Sequence, residues 1–200
     1  MEITFVRHGE TDLNKENRIQ GSATNYPLNE AGEAYARKAA AAFDPEAYDV
    51  VFVSPLTRAK QTAEIFTKGK QDLIVDSRIT EFDFGEWDGA LISELKQAHP
   101  DAFDEWNKVN ERYLQYAPSG ESFEHLAERC QDFLNEVIAK YPDGKVLAIC
   151  HGSLIRMLAA CLVAQGQMEN FQTMDNCALA KFECHPNSAR MLFYNRILAK

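Results

Sequence analysis

Short, almost wholly apolar runs alternate with segments of helical spacing along most of this chain, and this alternation limits its possible folds more than any other feature. The runs EITFVR (residues 2–7), YDVVFVSP (48–55), DLIVDS (72–77) and KVLAIC (145–150) predict strands. Strands that are apolar on both faces are typical of a parallel sheet with helices on both sides. We therefore expect an α/β fold, a three-layer sandwich with a mostly parallel central sheet.

The segments between these runs predict helices and one irregular insertion. Helices are expected at residues 30–43, 54–66, 121–140 and 152–163, and a C-terminal hairpin at NCALAKFEC and RMLFYNR. Asn29 is placed to cap the first helix, and Ser54 to cap the second with Pro55 at its first position. The stretch 82–120, rich in glycine, proline and aromatic residues, predicts a helical lid inserted in a single domain of residues 1–200.

Composition excludes several classes of partner. The chain has 200 residues and a formal net charge of -9, so we expect no nucleic-acid partner, and an anionic ligand would need a local cluster of cations. No apolar stretch approaches the length of a membrane span, so no membrane partner is expected. The first strand begins at once and the five cysteines show no metal-ligand spacing, which predicts reduced, mostly buried thiols and a cytoplasmic location.

Three predicted strand ends carry groups that can do chemistry. Arg7 and His8 end the first strand, Arg58 lies in the first turn after the second, and His151 and Gly152 follow the fourth. In such a sheet, ligands collect outside the carboxyl ends of the strands. A glycine follows each histidine, which lets backbone N–H groups approach an anion near a helix N-terminus. The pattern predicts an anion site at one edge of the sheet.

Two arginines and two histidines suit a phosphoryl group. Arginine pairs with phosphate oxygens and neutralises charge that develops in the transition state. One imidazole can attack phosphorus while the other hydrogen-bonds a phosphoryl oxygen. Because the chain lacks metal-ligand spacing, we expect no metal and no other cofactor, with the protein itself supplying the neutralisation.

A leaving alkoxide also needs a proton, and Glu81 in RITEFDFGEWDG (78–89) is the candidate acid. Partial burial among neighbouring aromatic side chains would favour its protonated form; these neighbours are Phe82, Phe84 and Trp87. Three other acids compete for the role: Asp83, Glu86 and Asp88.

Five blocks of sequence then resemble a known family. They are VRHGET (6–11), SPLTRAKQTA (54–63), TEFDFGEWDG (80–89), SGES (119–122) and CHGSLIR (150–156). In this order, over nearly the whole chain, they are similar to the histidine phosphatase superfamily, also called phosphoglycerate mutase-like proteins. The resemblance implies a metal-independent phosphomonoester hydrolase that acts on a small phosphorylated metabolite.

The resemblance also implies roles for individual residues. His8 would be the nucleophile that becomes a phosphohistidine, Glu81 would be the proton donor, and the phosphate pocket would be completed by Arg7, Arg58 and His151. Further phosphate or substrate contacts would come from Asn14, Gln20, Gly21 and Gly152. At most a supporting role falls to Thr11, Ser122 and Ser153, and a structural role to His99, His125 and His185.

Two alternative functions stay open at this point. One is a cofactor-dependent phosphoglycerate mutase, and the other is a non-catalytic protein that binds a phosphorylated ligand. The 82–120 stretch holds three basic and eight acidic residues, which argues against a second anionic group on the substrate and hence against the mutase. Its aromatic residues suggest a leaving group with apolar surface or a permissive site, and packing of the lid itself is the open alternative. A homodimer is an open alternative to a monomer.

Overall fold

A central sheet of six strands organises the computed structural model of this protein, which describes residues 1–199. The strands are β1 (Glu2–Arg7), β2 (Val50–Val53), β3 (Leu73–Val75), β4 (Lys145–Cys150), β5 (Leu179–His185) and β6 (Ser188–Arg196). Their order across the sheet is β3-β2-β4-β1-β5-β6. The first four pair in parallel, whereas β5 runs antiparallel to β1 and β6. The predicted mostly parallel sheet and C-terminal hairpin are confirmed.

Helices cover both faces of this sheet. They are α1 (Asp12–Lys15), α2 (Glu30–Ala41), α3 (Thr57–Thr67), α4 (Ile92–Ala98), α5 (Phe123–Lys140) and α6 (Gly152–Val163). Successive strand side chains point to opposite faces, so Val51 enters one core with α2 and α3 while Phe52 packs on Phe133 of α5 in the other. The three-layer α/β arrangement is confirmed. Within residues 1–199, no helix is both long and apolar enough to cross a membrane.

The central strands end at the same level. The His8 N–H donates to the carbonyl of Cys150 at 3.0 Å, and the Ser54 N–H donates to the carbonyl of Ile149 at 3.1 Å. His151 follows Cys150 directly. This register places the ends of β1, β2 and β4 at one edge of the sheet, where the sequence predicts an anion site.

Two helix starts follow the sequence closely, and one short helix was not predicted. The side-chain oxygen of Asn29 accepts the Gly32 N–H at 2.7 Å and caps α2, as expected. Helix α6 has the predicted bounds. The unpredicted α1 begins with a reciprocal capping box between Thr11 and Asn14.

The predicted start of α3 was wrong. The helix begins at Thr57 rather than at Pro55, and its N-cap is Leu56, which makes no side-chain cap. The Ser54 hydroxyl lies 2.7 Å from His151 Nε2, and its contact with the Leu56 N–H is long, at 3.4 Å. Ser54, which the sequence predicted as a helix cap, therefore contacts His151 at the edge of the sheet instead.

Residues 82–120 form a segment of short elements, as expected. Besides α4 it contains 3-10 turns at Gly85–Trp87, Pro100–Ala102 and Glu111–Gln115. Its aromatic side chains mostly pack on one another: the Trp87 ring stacks on Phe103 at 5.7 Å and on His99 at 5.8 Å between centroids. Trp106 is the exception, with 70% of its surface exposed. These rings therefore chiefly build the segment's own core.

The cysteines are all free thiols, and all except Cys161 are buried. Burial raises the pKa of Cys177 to about 12 and that of Cys184 to about 11. These thiols are therefore neutral at physiological pH and act as small apolar side chains, as predicted.

Candidate active site

A cavity of about 200 Å³ opens at the carboxyl ends of β1 and β4. Its wall includes six of the nine residues selected from the sequence: Arg7, His8, Asn14, Gln20, Glu81 and Gly152. The other three, Gly21, Arg58 and His151, are joined to one another by hydrogen bonds through the Arg58 guanidinium. The His151 ring centroid lies 5.1 Å from that of His8. The fold therefore brings all nine residues into one region.

The geometry around His8 fixes its tautomer. Nδ1 lies 2.7 Å from the carbonyl oxygen of Gly9, which can only accept, so Nδ1 carries the proton and Nε2 keeps its lone pair. Burial, followed by the positive charges of Arg58 and Arg7, holds the pKa of His8 well below its usual range. The residue is 2% exposed and lines the cavity. It is therefore a neutral imidazole, the form that can attack an electrophile.

His151 is engaged at both ring nitrogens. Its Nδ1 accepts a hydrogen bond from Arg58 Nε at 3.2 Å, so the proton lies on Nε2, which donates to Ser54 Oγ at 2.7 Å. Burial and the charge of Arg58 hold the pKa of His151 well below its usual range. A phosphoryl oxygen would thus compete with Ser54 for the proton on Nε2.

Arg58 is a buried cation that keeps unused donors. Besides Nε, its Nη1 donates to the carbonyl of Thr24 at 2.7 Å and its Nη2 to that of Gly21 at 3.0 Å. A guanidinium has five N–H groups, and these contacts use three. Burial lowers the pKa of Arg58 to about 10, so the group is still charged at neutral pH. It can therefore bind an anion.

Asp88 fixes the loop that holds Arg58. Its carboxylate accepts the N–H groups of Gly21 and Ala23, the latter at 2.8 Å, and the hydroxyl of Thr24 at 3.2 Å. Gly21 is not part of the cavity wall, and its contribution is the carbonyl that accepts from Arg58. A Cβ at Gly21 would lie 2.6 Å from the carbonyl oxygen of Phe82, so the close approach requires glycine. Asp88, one competitor for the acid role, thus serves this loop.

Arg7 presents an incompletely paired guanidinium. Its Nη1 donates to the carbonyl of Met174 at 2.5 Å, whereas its buried Nε has no partner within the described residues. A Cβ at Gly152 would lie 3.3 Å from this Nε, so the glycine leaves room for the guanidinium at the N-terminus of α6. An unpaired buried donor is costly, and an anion in the cavity would relieve that cost.

Backbone amides hold Glu81 in place. Its Oε1 accepts the N–H groups of Phe82 at 2.9 Å and Leu154 at 3.0 Å, and its Oε2 accepts that of Ser153 at 3.2 Å. The side chain is 6% exposed and lines the cavity with His8. Three amide donors therefore surround the carboxyl group, and two of them come from the first turn of α6. The sequence predicted only aromatic neighbours and not these backbone donors.

Asn14 and Gln20 both line the cavity. The Gln20 Oε1 accepts the hydroxyl of Thr11 at 2.8 Å, while its buried Nε2 has no partner within the described residues. Asn14 Oδ1 accepts the Thr11 N–H at 3.3 Å. Thr11 thus supports both amide side chains, and Gln20 retains a free donor.

Two residues around His8 were missed from the sequence. Asn176 Nδ2 donates to the carbonyl of His8 at 2.8 Å, and the Thr62 hydroxyl accepts the Gly9 N–H at 3.0 Å and donates to the carbonyl of Arg58 at 2.7 Å. Thr62 lies four residues after Arg58, within the block SPLTRAKQTA, so helical spacing could have indicated it. Asn176 carries no comparable signal, because it precedes β5, far along the chain.

The 82–120 segment has a negative net charge, but the charged residue that it places on the cavity wall is basic. None of its eight acidic residues, all within the described part of the chain, lines the cavity, but Lys108 does. Arg18 and Arg156 also line it. The net charge of the segment therefore does not describe the charge at the cavity, because its acidic side chains lie outside the cavity wall.

The site concentrates cations rather than metal ligands. Across residues 1–199, no group of three or more His, Cys, Asp or Glu side chains is arranged to hold a metal ion. Arg7 and Arg58 instead offer N–H donors beside a neutral imidazole. This arrangement can bind a phosphoryl group and neutralise its oxygens.

Comparison with known proteins agrees with this geometry. The family model for the histidine phosphatase superfamily (branch 1) matches residues 3–197. The uncharacterized phosphatase PhoE of Bacillus subtilis (strain 168) is 32% identical over 96% of this chain and 93% of its own, and the probable phosphoglycerate mutase GpmB of Cronobacter sakazakii is 30% identical over 92% and 85%. The structure of mycobacterial glucosyl-3-phosphoglycerate phosphatase in complex with VO3 aligns with a TM-score of 0.83, at 25% identity, over 98% of both chains. The chain belongs to the histidine phosphatase superfamily, branch 1.

Proposed function

We propose that this protein is a phosphatase that hydrolyses a small phosphorylated metabolite through a phosphohistidine on His8, without a metal. The observation that carries this proposal is the neutral His8 imidazole, which keeps its Nε2 lone pair and lines the same cavity as Arg7 and Glu81. A nucleophile, a cation and an acid at one cavity are the groups that a double displacement at phosphorus requires.

In the first step, His8 Nε2 attacks the phosphorus of the ester. The N–P bond forms as the bond from phosphorus to the leaving oxygen breaks, and Glu81 gives its proton to that oxygen. Arg7 and Arg58 bind the phosphoryl oxygens, with unused N–H groups on both guanidinium groups. His151 donates its Nε2 proton to a phosphoryl oxygen in place of Ser54.

In the second step, water replaces the imidazole. Glu81, now a carboxylate, takes a proton from water as the oxygen adds to phosphorus and the N–P bond breaks. Inorganic phosphate leaves, His8 is again neutral, and Glu81 is protonated. Oε2 accepts one amide hydrogen bond and Oε1 accepts two, so Oε2 is the atom left with capacity to carry the proton.

The cavity also bears on the substrate and on access. At about 200 Å³ it suits a molecule of a few carbon atoms besides the phosphoryl group. Phe103 and Lys108 of the 82–120 segment form part of its wall, so this segment acts as a lid over the site, inserted in one domain.

The free thiols suit a reducing compartment, and we place the protein in the cytoplasm.

The test is turnover of p-nitrophenyl phosphate with and without EDTA. We expect inorganic phosphate to be released at a rate that the chelator does not change, because the protein's own cations neutralise the phosphoryl oxygens. A zinc-dependent phosphatase assayed in parallel confirms that the chelator is effective. Loss of turnover in EDTA that returns with added metal would contradict the proposal.

The mutase reaction is a second candidate function, because the relative GpmB is a probable phosphoglycerate mutase. The same protein is therefore incubated with 3-phosphoglycerate and a trace of 2,3-bisphosphoglycerate. We expect inorganic phosphate to appear faster than 2-phosphoglycerate. Faster interconversion of the two phosphoglycerates would identify a mutase instead.

A further inference from the structure

Lys108 is a cation without a partner on the wall of the cavity. Its ammonium group has no hydrogen bond, ion pair or aromatic contact within residues 1–199, and the side chain is half-buried. Burial, then the charges of Arg156 and Arg7, lower the pKa of Lys108. The charge of Asp104 acts in the opposite direction but forms no ion pair with the ammonium group, so a positive charge without an ion-pair partner lies near two others.

The position of Lys108 is fixed by its own turn. Asp104 Oδ1 accepts the backbone N–H groups of Trp106 at 2.9 Å and Lys108 at 2.7 Å, and the Asp104 N–H donates to the carbonyl of Lys108 at 2.8 Å. A β-bridge between Phe103 and Val109 closes the turn. The Asp104 carboxylate therefore accepts two backbone hydrogen bonds and makes no ion pair with the ammonium group.

Arg156 supplies the second cation. It lies on α6, one turn after the amides that hold Glu81, and it lines the cavity while 5% exposed. Its Nε donates to the carbonyl of Phe171 at 2.8 Å and its Nη2 to that of Met168 at 3.2 Å, so neutral groups orient it and no carboxylate pairs with it. Arg18, by contrast, pairs with Glu16 at 2.7 Å.

We propose that Lys108 and Arg156 bind a second anionic group of the substrate, a carboxylate, so that phosphorylated carboxylic acids are the preferred substrates. This inference rests on the proposed phosphatase function. Arg7 and Arg58 serve the phosphoryl group, which leaves Lys108 and Arg156 without an anion to bind. Two cations that line one cavity and lack an ion-pair partner repel each other, and a bound carboxylate would offset that repulsion.

The remaining wall fits a short carbon skeleton between the two charged groups. Phe84, Ile92, Val109 and Phe123 contribute apolar surface to the cavity. A volume of about 200 Å³ favours a carboxylate over the bulkier, more highly charged second phosphoryl group.

The test compares two substrates that differ only in the carboxylate, O-phosphoserine and O-phosphoethanolamine, in wild type and Lys108→Met. In wild type we expect kcat/KM to be higher for O-phosphoserine. In Lys108→Met, whose side chain has similar length without charge, the ratio of the two values falls about tenfold, as loss of a hydrogen bond to a charged group predicts. Lys108→Arg keeps the preference and shows that the substitution site tolerates change.

Arg112→Met is the matched control, because Arg112 belongs to the same segment and does not line the cavity. Its ratio should equal that of wild type. An equal ratio in wild type and Lys108→Met would overturn the inference, as would faster hydrolysis of ethane-1,2-diol bisphosphate than of O-phosphoserine. Turnover of p-nitrophenyl phosphate separates the two proposals, because its absence refutes the phosphatase function itself.

Discussion

Replacement of His8 by alanine should abolish phosphatase turnover while leaving the protein folded. His8 is the only histidine within residues 1–199 that lines the cavity, and its Nε2 is free, whereas His151 Nε2 contacts Ser54, so no neighbouring imidazole can form the N–P bond in its place. Removal of a covalent nucleophile typically lowers kcat by more than about 10⁴-fold. The measurement is kcat for p-nitrophenyl phosphate, with circular dichroism and the melting temperature as tests of folding.

His185→Ala is the matched control for this variant. His185 is exposed at the end of β5, away from the cavity, and its loss should leave kcat unchanged. Turnover by a folded His8→Ala protein at a substantial fraction of the wild-type rate would remove His8 from the reaction. A sensor that binds phosphate esters without hydrolysis would instead show no turnover in the wild type.

Glu81→Gln should produce the second largest loss, and the loss should depend on the leaving group. An alkoxide needs a proton from Glu81 to depart, so kcat/KM for an alkyl phosphate should fall about 10²–10⁴-fold. Nitrophenolate departs as a stable anion, so kcat/KM for p-nitrophenyl phosphate should fall much less. This parameter reports the first, phosphoryl-transfer step, before water enters.

Glu86→Gln tests whether any carboxylate would serve. Glu86 was a competitor for the acid role, but its Oε2 accepts the Ser119 N–H at 3.3 Å and the residue does not line the cavity. We expect wild-type kcat/KM for both substrates in this variant. Equal losses for the two substrates in Glu81→Gln would contradict proton donation and point to a purely structural role for Glu81.

The sequence predicted those features that depend on neighbours along the chain. Apolar runs of strand length and helical spacing indicated the strands, the two helix layers and the edge where they meet. Because parallel strands end together, His8 and His151 could be placed side by side although they lie near opposite ends of the chain. Local pattern and topology together were sufficient for this part of the site.

Features that depend on contacts through space could not be predicted. Ser54 had the sequence context of a helix cap, but its hydroxyl contacts His151 from another strand. Asn176 reaches the His8 carbonyl across 168 positions. Lys108 could not be selected from the sequence, because it lies in a segment of negative net charge. The net charge of a segment does not tell which of its side chains line the cavity.

The stereochemical course of hydrolysis tests the central claim, transfer of the phosphoryl group to a protein nucleophile, most directly. The substrate is a phosphorothioate ester made chiral at phosphorus by one heavy oxygen isotope and hydrolysed in water that carries the third isotope, and the configuration of the chiral inorganic thiophosphate is read by NMR. Two successive in-line displacements, first by His8 and then by water, predict retention of configuration. Inversion would show that water attacks the ester directly, and would contradict the phosphohistidine mechanism.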